Sequence, residues 1–111
     1  MKIEIWNDFC VPHCYTGETL LVRAISVLAL TEKIAIRLRA FELDPSFPKG
    51  RTIDVPQCVA RKYGCSLPYA LEKIEAAAGM SRAVGIDMKF RTAIFCNTRD
   101  AHRLLKFAYT E

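Results

Sequence analysis

The sequence predicts an α/β fold built on a strand–helix–strand unit and continued by a mainly helical stretch. Three features carry that reading. Met1, Ile3 and Ile5 alternate with Lys2 and Glu4, and Ile34, Ile36, Leu38 and Ala40 alternate with Arg37 and Arg39, each with the two-residue period of a half-buried strand. Between them, residues 20–30 are apolar almost all round, which predicts a buried helix.

The first strand, prolonged by Trp6, ends at Asn7-Asp8. The helix begins around Pro12, because proline is favoured in a first helical turn where its missing N–H is not needed. A right-handed crossover makes the two strands parallel and places the helix start at their carboxyl ends, where open α/β sheets tend to carry their chemistry.

Asp44-Pro45-Ser46-Phe47-Pro48-Lys49-Gly50 is a turn-rich loop, after which helical patterns resume. Asp54 is placed to cap a short helix ending at Gly64. Ser66 caps a longer one, with Leu67, Leu71, Ile74 and Ala78 on one face and Gly85 as its stop. Cys65 falls in the loop between them. Ile86, Met88 and Phe90 alternate weakly, and Asn97 with Asp100 reads as a capping box opening a last helix through Leu104, Leu105 and Ala108. That helix has no stop signal before Glu111, so truncation or a fragment is expected. The expected organisation is a single partial domain over residues 1–111, with a strand–helix–strand part at 1–45 and a mainly helical insertion at 46–111.

A chain of 111 residues, 51% hydrophobic and 25% charged, has the balance of one globular domain with a single core. No stretch reaches the roughly 18 apolar residues of a spanning helix, and Met1 leads directly into the strand-like MKIEIW, so no membrane partner and a cytoplasmic address are expected. The net charge is +4, but the Lys and Arg are scattered rather than clustered with aromatics, so no nucleic-acid partner is expected. Five cysteines, an odd number, read as catalytic, metal-binding or buried thiols rather than a disulfide framework.

Cys10 and Cys14 flank Val11-Pro12-His13 at the strand-to-helix junction. A helix N-terminus presents unpaired N–H groups and partial positive charge, which favours a thiolate, and a protonated His13 adds to that field. The residues are thus candidates for disulfide exchange. Burial as small apolar side chains is the plainer alternative. A Cys10, His13, Cys14 metal site is disfavoured because no second cysteine pair accompanies it, and no cofactor or metal is expected. Cys58 and Cys96 sit among apolar residues and read as core or helix-face positions, with Cys65 a possible pairing partner for Cys58.

The stretch WNDFCVPHCYTG at residues 6–17 resembles the signature W-S-D-x-x-C-P-x-C-Y-x-G of DsbA-like oxidoreductases of the FrnE type, relatives of the 2-hydroxychromene-2-carboxylate isomerases. Phe41-Glu42-Leu43-Asp44-Pro45 resembles that family's F-E-L-x-P segment. Lys62-Tyr63-Gly64 and the run NTRDAHRL at 97–104 resemble its K-Y-G and N-T-x-x-A-H-R-L segments. The resemblance spans nearly the whole chain and implies a thioredoxin-like fold, truncated before its C-terminal ββα half. It implies a dithiol oxidoreductase with Cys14, Cys10, His13 and Pro12 as catalytic residues. Asn97, Thr98 and His102 face the redox centre in the family and, with Trp6, are the expected substrate contacts. By spacing alone, Asn97 is a helix cap and His102 an exposed histidine, while Trp6 and Tyr15 fit aromatic surface beside the thiols and core packing equally well.

The chain departs from the family at two points. The family's nucleophilic cysteine falls at Val11, and Cys10 stands one residue earlier, giving C-x-x-x-C. Cys14 matches the family's resolving cysteine. The family's cis-proline loop and further strands come after the matched region, which leaves the first strand with an open apolar edge, so a homo-oligomer or strand-swapped dimer is expected. The expected partner is a thiol-containing protein or a glutathione-like small thiol. Two alternatives stand beside the oxidoreductase. One is a glutathione-dependent isomerase or transferase, for which Val11 lacks the hydroxyl its relatives carry. The other is a non-catalytic remnant that binds a partner.

Overall fold

The computed structural model describes residues 1–10 and 12–110; Val11, where the resemblance places the family's first cysteine, lies outside the described residues. The chain divides into two units, one of residues 1–45 with 98–111 and the other of residues 46–97.

In the first unit, β1 (Lys2–Asn7) and β2 (Ala35–Ala40) pair in parallel, with Lys2 opposite Ala35 and Asn7 opposite Ala40. The register sets Ile3 and Ile5 beside Ile36 and Leu38 on one face. It sets Glu4 and Trp6 beside Arg37 and Arg39 on the other, where Arg39 and Lys2 both pair with Glu4. The helix α1 (Pro12–Val27) crosses between the strands, as the alternation requires. It ends on Ala29 in the left-handed region at φ 53°, with the Leu30 N–H closing onto the Ile25 carbonyl at 2.9 Å.

The all-round apolar pattern of residues 20–30 does not bury this helix. Thr16 and Ile25 are its buried residues, whereas Leu20, Val22 and Leu28 are exposed and Val27 is 85% exposed. A two-stranded sheet offers one helix a single stripe of contact, so the remaining apolar faces meet solvent. The last helix of this unit, α4 (Arg99–Ala108), buries His102 and exposes Leu104 and Phe107.

The second unit holds β3 (Thr52–Asp54), α2 (Val55–Tyr63), α3 (Leu67–Ala83) and β4 (Ile94–Cys96), with β3 and β4 antiparallel. Asp54 caps α2 by accepting from the Gln57 N–H at 2.9 Å, and Gly64 ends it in the left-handed region at φ 60°. Ser66 caps α3 through the Tyr69 N–H at 3.3 Å. Ala70, Ile74 and Ala78 form the buried stripe of α3, with Ser81 and Val84 beyond it, and Phe47 meets Phe95 edge to face at 4.9 Å. No helix among the described residues is long and apolar enough to cross a membrane.

Candidate functional site

Asp8 follows β1 directly, Phe9 and Cys10 form a turn, and α1 starts at Pro12. Asp8 is 4% exposed, so its carboxylate needs donors, and the fold supplies them. One oxygen accepts from the Phe9 N–H at 2.8 Å and lies 3.0 Å from His102 Nε2; the other accepts from the Leu43 N–H at 2.8 Å. The Thr98 hydroxyl and the Cys10 thiol also bond to it. Burial pushes the Asp8 carboxyl up, but the bonds from Thr98, the Leu43 N–H, Cys10 and His102 outweigh it and hold the group below its ordinary value.

An ionised carboxylate only accepts, so the proton of the shared bond sits on His102 Nε2. His102 is itself 4% exposed, its ring lies 4.8 Å from that of Phe9, and its Nδ1 is buried with no partner among the described residues. Cys10 has the opposite bias from Asp8. Burial, the hydrogen bond to Asp8 and the Asp8 charge push its thiol up to about 12, with a small addition from Cys14.

The expected site residues are distributed as follows. Pro12, His13 and Cys14 are the first three residues of α1, with His13 exposed and Cys14 half-buried like Cys10. None of the five cysteines is in a disulfide in this structure, and Cys65 lies in the loop between α2 and α3. Thr98 and His102 converge on Asp8. His102 is thus no exposed histidine: α4 turns it onto the buried Asp8 carboxylate. Asn97 is not the cap of α4 either. Thr98 holds that position without a side-chain cap bond, its hydroxyl bonding to Asp8 instead, while the Asn97 amide donates to the Phe47 carbonyl at 2.7 Å within the second unit. Trp6 is 60% exposed on β1, and Cys96, expected in the core or on a helix face, is exposed at the end of the three-residue β4.

Sequence reasoning passed over Asp8, although it stands two residues before Cys10 inside the motif at 6–17. The signal was an acidic residue at the mouth of a cysteine pair. The DsbA-like thioredoxin domain family model matches residues 2–111. The chain belongs to the DsbA-like thioredoxin domain family.

The fold agrees. The crystal structure of a probable DsbA oxidoreductase from Streptomyces coelicolor superposes with a TM-score of 0.93 at 30% identity, covering 99% of this chain and 47% of that one. The present chain therefore spans about half the length of that relative. No curated protein matches the sequence. The α/β, thioredoxin-like DsbA architecture expected from the motifs is thus the architecture found, with Cys10 in the turn after β1 and Cys14 in the first turn of α1.

Proposed function

We propose that the chain carries a thiol–disulfide exchange of the DsbA and FrnE kind, with Cys10 and Cys14 as the exchanging pair and a thiol-containing protein or glutathione-like thiol as substrate. The observation behind this reading is the placing of both thiols at the amino end of α1, with a buried carboxylate bonded to one of them. A disulfide-exchange site needs two thiols in reach of each other and a means of keeping them in different protonation states. Asp8 supplies the second requirement. His13 and Pro12 shape the first turn of α1 between the thiols, and exposed Trp6 is the open apolar surface for a substrate. Thr98 and His102 act on the site through Asp8. A cytoplasmic address is part of the proposal, because five cysteines, an odd number, suit catalytic or buried thiols better than a disulfide framework.

The test is equilibration of the full chain in glutathione buffers spanning reduced to oxidised, followed by differential alkylation and peptide mapping. A Cys10–Cys14 disulfide that forms and disappears reversibly is the expected result. If the two are never joined while other thiols oxidise, the site is not an exchange centre and the domain serves as a partner-binding module.

A further inference from the structure

Three other features carry nothing as far. The cleft between β2 and α4 is lined by Arg37, Arg39 and Lys106, but Arg39 already pairs with Glu4. Among the described residues, the groove beside Asp54 and Arg61 in the second unit holds no buried polar side chain left without a partner. The exposed apolar face of α1 has no identified occupant.

The Asp8 cluster does carry an inference. We infer that Cys14, the second cysteine in the chain, makes the first attack on a substrate disulfide, and that Asp8, braced by His102, holds Cys10 protonated as the resolving thiol. This rests on the exchange reading above, and it reverses the order in which the family motif places its nucleophilic and resolving cysteines.

The geometry is asymmetric. Cys10 lies in the turn and donates its S–H to a carboxylate whose other bonds are fixed by the Phe9 and Leu43 N–H groups and by His102. A thiolate at Cys10 would lose that bond and face a buried negative charge. Cys14 occupies the third position of α1, in the first turn, where helix N–H groups lack intrahelical partners and favour a developing anion. Among the described residues, the charged or titratable groups acting on the carboxylate are Cys10 and His102, with Cys14 acting on Cys10.

The thiol at about 12 sets the size of the effect. Relative to an ordinary thiol near 8.5, a roughly three-thousandfold smaller thiolate fraction is half compensated, on a logarithmic scale, by greater intrinsic nucleophilicity, leaving an attack about 50-fold slower.

In the first step the Cys14 thiolate attacks R–S–S–R′, forming a Cys14–S–S–R bond and expelling R′S⁻, which takes a proton from water. In the second, Cys10 gives up its proton to solvent as its sulfur bonds to Cys14 Sγ and RS⁻ leaves and is protonated. The substrate disulfide is reduced to two thiols and the cysteine pair is oxidised to a disulfide.

The experiment uses the full chain with glutathione disulfide near neutral pH and mass spectrometry of the cysteine peptides. The Cys10→Ser variant is expected to accumulate glutathione on Cys14. The Cys14→Ser variant should load Cys10 at least about tenfold more slowly, and adding Asp8→Asn to it should restore much of that rate. If Cys10 loads as fast as Cys14, the order is overturned while the exchange reading stands. If neither thiol is loaded in any variant and the wild-type chain forms no Cys10–Cys14 disulfide, both fall. The comparison of the two serine variants decides the order even where Asp8→Asn does not fold.

Discussion

The Asp8 carboxylate and the His102 imidazole meet at 3.0 Å with both side chains almost fully buried, joining positions 94 residues apart. The bond ties the turn before α1 to the middle of α4. Because the first unit buries few apolar side chains, this polar pair takes a large share in holding α4 in place.

Removing either partner leaves the other buried without its mate. Asp8→Ala and His102→Ala are each expected to destabilise the chain by about 2–4 kcal/mol. The double variant should cost less than the sum, with a coupling of about 1–3 kcal/mol in urea unfolding. Additivity within about 0.5 kcal/mol would show that the two act independently.

The same cluster sets two pH limbs. The Asp8 carboxyl is lower in the folded chain than in the unfolded one, so its contribution is present above about pH 4 and fades as pH falls through the folded value. Cys10 is raised, so its contribution is present below about 8.5 and is lost as pH rises toward 12. Unfolding midpoints measured against pH should therefore show a shallower acid limb in Asp8→Asn and a shallower alkaline limb in Cys10→Ser. Unchanged slopes would contradict the assignment.

Two helix ends share a backbone geometry with opposite residues. Gly64 at φ 60° and Ala29 at φ 53° both lie in the left-handed region, which costs an alanine about 1 kcal/mol. Gly64→Ala is expected to destabilise by about that amount and Ala29→Gly to stabilise by up to about as much. Thermal melts of the two variants should move in opposite directions.

Much of this fold was legible because its signals are local. The alternation in residues 1–6 and 34–40 gives β1 and β2, and Asp54, Gly64 and Ser66 mark the ends of α2 and α3 through bonds spanning three or four residues. The pair β3 and β4 escaped notice because three-residue strands have too little pattern and their pairing joins Thr52 to Cys96. The weak alternation at Ile86, Met88 and Phe90 drew attention to the wrong segment. At the site, the cysteines stood out by chemistry, whereas Asp8 read only as the end of the first strand because its partners, Leu43, Thr98 and His102, are distant in sequence. The same blindness made Asn97 look like a cap.

Exposed apolar side chains on α1, with Trp6 and Phe41, make up a surface that a lone copy leaves in water. Concentration-dependent self-association is expected in sedimentation velocity, and replacing Val22 and Val27 with lysine should reduce it. A wild-type chain that stays monomeric across the micromolar range would contradict that expectation.

The most direct test of the central proposal is turnover. With dithiothreitol as terminal reductant, the full chain is expected to accelerate reduction of insulin disulfides above the rate of dithiothreitol alone, and Cys14→Ser is expected to abolish the acceleration. An acceleration that survives Cys14→Ser unchanged, or none in the wild-type chain, would contradict thiol–disulfide exchange at this site.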